Sequence, residues 1–144
     1  MAITQALPNS FKKQLLDGDQ DFSSAGGDKF KLALYVSTAT LSAATTSYTT
    51  SGEVSSSGTN YTTGGKALVN GGTSVVSTVA FTDFADLSFV NVTLTARGCL
   101  IYNTSFSNSA VAVLNFGADK TATSGTFTIQ FPAFTSSAAI IRIS

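Results

Sequence analysis

The most informative property of this sequence is what it lacks. Its 144 residues include no histidine, no tryptophan and one cysteine. Without histidine, the chain cannot form a Ser-His-Asp or Cys-His catalytic site, and it lacks the usual zinc ligands. The single cysteine, Cys99, cannot form an intrachain disulfide, and its apolar neighbours predict a small buried side chain. We therefore expect that the protein is not an enzyme and holds no cofactor and no metal.

Charge is also scarce. Charged residues make up 11% of the chain, with eight basic and eight acidic side chains and a net charge of +0, where about 25% is usual. A neutral chain has no electrostatic attraction for nucleic acid or for an anionic membrane, so we expect neither partner. The sequence contains no apolar run long enough to span a bilayer. The first ten residues do not resemble a signal peptide, so we expect folding in a cytosol.

Hydroxyl side chains take the place of the missing charges. Serine and threonine together account for 41 of the 144 residues, and 43% of the chain is hydrophobic. This hydrophobic content argues against disorder, and a near-neutral surface lets identical subunits pack closely at little electrostatic cost. Composition alone leaves two interpretations open: a protein that assembles in many copies, or a neutral β domain that is simply rich in threonine.

The N-terminal segment contains the one good helix candidate. Apolar residues recur every four positions, Pro8 suits a first turn, and Gly18 suits the position after a helix. These signals predict a helix from about Pro8 to Leu16, which is too short to be stable alone. Its apolar stripe must therefore dock on its own domain or on a neighbouring subunit. We predict residues 1–27 as an N-terminal arm with this helix and residues 28–144 as a β domain.

The β domain shows the two-residue periodicity of strands. About eight short strands separated by turn signals predict a mainly β fold, an antiparallel β-sandwich or barrel. Residues 42–65 are nearly all Ser, Thr, Gly and Ala, which favours short exposed strands or an extended loop, anchored by Glu53, Val54 and Tyr61. The predicted strands are Lys29–Ser37, Lys66–Asn70, Ser74–Thr82, Phe89–Arg97, Gly98–Tyr102, Ala110–Phe116, Gly125–Phe131 and Ala138–Ile143.

Three groups of polar side chains were candidates for chemistry. The acidic run that contains Asp17, Asp19, Asp21 and Asp28 faintly matches a calcium loop, but its sixth position is Phe22 and not Gly, so we expect a solvated turn. Asp83 and Asp86 could form a carboxylate pair for acid–base catalysis, or could serve as turn and capping residues. The third group could form a platform for sugars, and it comprises Tyr35, Tyr48, Tyr61 and Tyr102.

Several segments resemble a family of small virion structural proteins from tailed bacteriophages. They recur in the family's order across nearly the whole chain: Gly27-Asp28-Lys29-Phe30-Lys31-Leu32-Ala33-Leu34-Tyr35, Tyr48-Thr49-Thr50-Ser51-Gly52-Glu53-Val54, Thr63-Gly64-Gly65-Lys66-Ala67-Leu68, Thr95-Ala96-Arg97-Gly98-Cys99-Leu100-Ile101-Tyr102-Asn103, Val111-Ala112-Val113-Leu114-Asn115-Phe116-Gly117-Ala118-Asp119-Lys120 and Gly125-Thr126-Phe127-Thr128-Ile129-Gln130-Phe131-Pro132. The resemblance implies a capsid decoration, or cement, protein. It supplies no catalytic residues.

The resemblance also implies partners and a location. We expect the protein to bind the phage major capsid protein on the capsid surface of the virion, after assembly in the host cytoplasm. We expect it to pair with itself as a homotrimer, because icosahedral shells offer threefold positions. Two alternatives stay open: another virion component, such as a tail or neck protein, and a host-glycan-binding module. The candidate capsid or subunit contacts are the apolar residues of the arm: Ile3, Leu7, Phe11, Leu15 and Phe22.

Overall fold

The computed structural model describes residues 2–144, so Met1, the first residue of the predicted arm, lies outside the described residues. Within residues 2–144 the chain forms one helix and seven strands, which confirms the mainly β prediction. In chain order the elements are α1 (Asn9–Asp17), β1 (Phe30–Tyr35), β2 (Lys66–Ala67), β3 (Asn70–Val76), β4 (Val79–Phe84), β5 (Leu87–Asn103), β6 (Ser109–Ile129) and β7 (Ile141–Ile143).

The strands form two separate antiparallel sheets. One sheet has four strands in the order β2-β1-β5-β6, and the other has three in the order β3-β4-β7. Leu32 and Ile101 of the first sheet share one buried core with Phe84 and Ile141 of the second. Of the two predicted architectures, the fold is therefore sandwich-like and not a closed barrel.

The helix α1 begins and ends within one residue of the prediction. Pro8 precedes its first residue, and Gly18 follows its last with a left-handed φ of 78°. This conformation lets the N–H of Gly18 and that of Asp19 reach carbonyls of the last helical turn. Phe11 is fully buried and is the helix's anchor to the core. In residues 2–144 we find no helix with the length and apolar character needed to cross a membrane.

The predicted strand Ser74–Thr82 is wrong, because this stretch is a hairpin. Ser77 and Thr78 form a two-residue turn between β3 and β4, and Ser77 adopts a positive φ of 54°. The pair Gly71-Gly72 lies inside β3, where the pairing with β4 is irregular. A turn made of Ser and Thr in a β-branched run leaves little trace in a sequence pattern.

The two longest strands each combine two predicted ones. β5 runs through Gly98, and β6 continues from Ser109 to Ile129. The strands are irregular at Gly98, since the register shifts between Ala96, which pairs with Lys120, and Gly98, which pairs with Asn115. Four residues of β6 therefore arch out of the ladder opposite one residue of β5. In the sequence pattern, such irregularities look like the ends of separate strands, although each strand continues through them.

A second layer covers the outer face of the four-stranded sheet. Alternation in β1 would place one face toward solvent, yet Ala33 and Tyr35 on its second face are also fully buried. They pack in a second core with Ile3, Leu41 and Leu100. This layer is built from the N-terminal residues and from the extended loop 36–65, so on this face of the strand only Lys31 is partly exposed.

Candidate interaction surfaces

Most of the predicted contact residues of the arm are buried in the protein's own core. Phe11 and Phe22 belong to the main core, and Ile3 belongs to the second core. Leu7 and Leu15 are partly buried against the main core. The structure thus shows the helix docked on its own sandwich, and it leaves Ile3, Phe11 and Phe22 almost no surface for a partner. The physical reason is that a nine-residue helix gains its stability from this packing.

Residues 3–6 are held against the sandwich by backbone hydrogen bonds and close packing. The N–H of Thr4 donates to the carbonyl of Leu41 at 2.8 Å, and the N–H of Ala6 donates to Val113 at 3.0 Å. Ile3 lies over Gly98, where a Cβ atom would come within 3.0 Å of the Ile3 side chain and 2.4 Å of the Leu114 carbonyl. Gly98 therefore both opens the bulge and makes room for the arm.

Leu16 is the arm's prominent exposed apolar residue. Its relative exposure is 91%, the highest among the large hydrophobic residues exposed in the described structure. On the same helix, Lys13 forms an ion pair with Asp17 at 2.5 Å. The contact surface that this segment can offer a partner is therefore the outer side of α1 and not the predicted stripe.

All four tyrosines of the chain surround its single glutamate, Glu53. One carboxylate oxygen, Oε1, accepts hydrogen bonds from the Tyr61 hydroxyl and the Gly64 N–H, each at 2.7 Å. The other, Oε2, accepts from the Tyr48 hydroxyl at 2.6 Å. Tyr48 also stacks on Tyr102 with ring centroids 4.6 Å apart. We call this group the Glu53 cluster; it comprises Glu53, Gly64, Tyr35, Tyr48, Tyr61 and Tyr102.

The Glu53 cluster does not form the exposed sugar platform considered from the sequence. Tyr35, Tyr61 and Tyr102 are buried, and Tyr48 is half-buried. The Tyr35 and Tyr102 hydroxyls donate to the carbonyls of Thr49 and Gly64, each at 2.6 Å. Burial, followed by the effect of the nearby Glu53 carboxylate, raises the pKa of Tyr102 to about 12 and raises those of the other three further above 10. The cluster fastens the loop 36–65 to the sheet.

The acidic run in the N-terminal segment forms turns. The Asp21 carboxylate accepts from the N–H and the hydroxyl of Ser23, and these bonds lower the pKa of Asp21. Asp28 accepts from the buried Asn103 side chain at 2.7 Å and from the Asp21 N–H at 3.0 Å. Within residues 2–144 no group of three or more His, Cys, Asp or Glu side chains is placed to hold a metal.

Asp83 and Asp86 do not face a common open site. Asp83 lies in β4 with 2% exposure, and its Oδ1 accepts the N–H of Phe84 at 2.9 Å. Its Oδ2 is buried without a hydrogen-bond partner among the described residues. Burial, aided by the charge of Asp86, raises the pKa of Asp83. Asp86 accepts the N–H of Phe131 at 2.8 Å, so both residues hold backbone in place.

Among the grooves on the sandwich, one lies along β6 and another beside α1. The larger, of about 540 Å³, follows the free part of β6, and its apolar lining includes Phe116, Phe127 and Ile140. The smaller, of about 280 Å³, lies between α1 and the three-stranded sheet, with Leu15 and Phe22 on one side and Ile143 on the other. Neither groove gathers residues for acid–base or nucleophilic catalysis, within the part of the chain that is described.

The three-stranded sheet carries a row of exposed apolar side chains. Val75 of β3 pairs with Ala80 of β4, which pairs with Ile143 of β7, so the three lie side by side on one face. Val75 and Ile143 are 65% and 55% exposed. The sequence did not predict this row or the exposed edge of β3 beside it. The turn that creates both lies within Ser74–Thr82, which alternation predicted as one continuous strand.

Comparisons of this chain with protein-family models, with curated proteins and with solved structures give no match.

Proposed function

We propose that this protein is a cement protein of a tailed bacteriophage, which binds the outer surface of the major capsid protein shell and stabilises the head. The observation that carries the proposal is the ordered resemblance of segments from Gly27 to Pro132 to phage virion proteins. A cement protein works by burying surface across the boundaries between capsid proteins, so it needs no chemistry.

The surface of the sandwich is consistent with this role. On the exposed face of β5 and β6, hydroxyls bond to each other in pairs, Ser88 with Thr128 at 3.0 Å and Thr95 with Thr121 at 2.9 Å. These cross-strand bonds link β5 to β6 without adding charge to the face. Copies with this surface can pack densely on a shell with little mutual repulsion.

Within this proposal, α1 contacts the capsid through its outer side. Leu16 is nearly fully exposed there, and an exposed apolar side chain gains free energy when a partner removes it from water. The expected assembly on the shell is a homotrimer, because each threefold position presents three capsid proteins.

The experiment that tests the proposal is reconstitution. Purified protein is added to phage heads that lack it, and bound protein and the temperature of DNA release are measured. We expect saturable binding and a higher release temperature. Leu16→Lys should weaken binding at least about tenfold, while Val69→Lys, at a valine that is 67% exposed elsewhere, should not. Absence of binding by the unaltered protein would contradict the proposal.

A further inference from the structure

The edge of strand β3 differs from the other sheet edges. β2 has only two residues and includes Lys66, and β7 has three with Arg142 at its centre. β6 carries Asp119 and Lys120, and repeated shifts in its register with β5 interrupt its edge. Short length and charged side chains are the usual protection of an edge against pairing. β3 is seven residues long, and the sequence from Ala67 to Thr82 contains no charged residue and no proline.

The part of β3 that is free to pair is Thr73–Val76. The irregularity between Asn70 and Thr73 distorts the start of the strand, and the four following residues are exposed. In a hairpin with a two-residue turn, the residues flanking the turn, here Val76 and Val79, bond to each other, and bonded pairs then alternate along the ladder. The backbone N–H and C=O groups of Thr73 and Val75 consequently point away from β4, toward open solvent.

We propose that this edge is an interface between two copies of the chain, formed by antiparallel pairing of their β3 strands. Pairing centred on Val75 places it opposite Val75 of the second copy, so the apolar rows of the two sheets join into one. An uncharged strand places no like charges opposite each other when it pairs with itself, and the net charge of +0 adds no repulsion between copies.

The symmetry of this pairing limits its size. Two antiparallel β3 strands are related by a twofold axis, so each strand pairs with the free backbone groups of the other. No third copy can then pair at the same edge. The opposite edge of the same sheet is β7, which is short and carries Arg142. The sheet therefore does not extend further, and the expected product in solution is a dimer and not a fibre.

The test is the mass of the protein in solution as a function of concentration, by analytical ultracentrifugation. We expect the 14.8 kDa chain to form a reversible dimer. Val75→Lys should raise the dissociation constant at least about tenfold. The matched control Val90→Lys, at a valine of 55% exposure on another strand, should leave it unchanged. A monomer at all concentrations, or an oligomer that Val75→Lys does not affect, would overturn the proposal. If that unaffected oligomer is a trimer, it would favour the homotrimer expected on the capsid.

A second measurement uses the unaltered protein and so does not depend on how a variant folds. The amide hydrogen of Val75 should exchange slowly at high protein concentration and quickly at low concentration. Rapid exchange at every concentration would overturn the proposed contact. Because the dimer forms in the absence of capsids, its failure leaves the reconstitution result, and hence the proposed function, unaffected.

Discussion

The hydroxyl of Tyr61 donates to Oε1 of Glu53 at 2.7 Å, between two residues of the loop 36–65. Tyr61 also accepts the N–H of Leu34 from β1 at 3.0 Å. The same two residues thus connect the loop to the sheet. Backbone hydrogen bonds and the buried Leu41 and Val54 also hold this Ser- and Thr-rich segment, and one carboxylate with four tyrosine rings adds a polar anchor.

Removing the Glu53 carboxylate tests this anchoring. Glu53→Ala leaves three donors without their acceptor, and hydrogen bonds to charged groups contribute about 1.5–3 kcal/mol each. We expect a loss of about 3 kcal/mol in the free energy of unfolding, measured by urea denaturation, with faster proteolysis of the loop. Asp119→Ala, which removes the exposed partner of Arg97, should cost less than about 1 kcal/mol. Equal effects of the two changes would contradict the anchoring role.

The tyrosines predict a dependence of stability on alkaline pH. Their pKa values are raised in the folded protein above the ordinary value of 10. A group with a raised folded pKa contributes stability that is complete below the unfolded pKa and is lost as pH rises through the folded pKa. We expect stability to fall from about pH 10 upward, with tyrosinate absorbance appearing only as the protein unfolds. Titration of all four tyrosines near pH 10 in a folded protein would contradict this.

Asp83 predicts an effect of the same sign that begins at acid pH. Its raised pKa means that the charged form is disfavoured in the folded state, so its contribution is most favourable at acid pH and is lost as pH rises. Asp83→Asn keeps an oxygen for the Phe84 N–H and removes the buried charge. We expect this variant to be about 1 kcal/mol more stable than the unaltered protein at pH 7, with the difference shrinking toward pH 3. A lower melting temperature at pH 7 would refute the prediction.

Substitutions on the two sides of α1 should have contrasting effects on the free energy of unfolding. Phe11→Ala removes a fully buried ring and should cost about 3–5 kcal/mol. Leu16→Ala removes an exposed side chain and should change stability by less than about 0.5 kcal/mol. Deletion of residues 1–22 should prevent folding, since it removes two core phenylalanines. A soluble, folded deletion protein would show instead that the arm is dispensable for the sandwich.

The sequence predicted those parts of the fold that depend on local patterns. The bounds of α1 followed from Pro8, Gly18 and the apolar spacing, and strand segments within β1, β5 and β6 followed from alternation. Burial of Cys99 followed from its neighbours. These signals are local because a cap or a strand face depends on residues only a few positions apart.

Features that depend on distant residues could not be predicted. That Ala33 and Tyr35 are covered depends on where residues 2–6 and the loop 36–65 travel. The Glu53 cluster joins residues separated by up to 67 positions, between Tyr35 and Tyr102, and only tertiary structure brings them together. The exposed edge of β3 depended on a turn, Ser77-Thr78, whose residue types are common in strands.

The most direct test of the proposed capsid role is cryo-electron microscopy of tailed-phage virions assembled in the presence of this protein. The account predicts density for the sandwich on the outer surface of the head, seated across boundaries between capsid proteins at threefold positions. Density for the protein confined to the tail or neck, with a bare head surface, would contradict it.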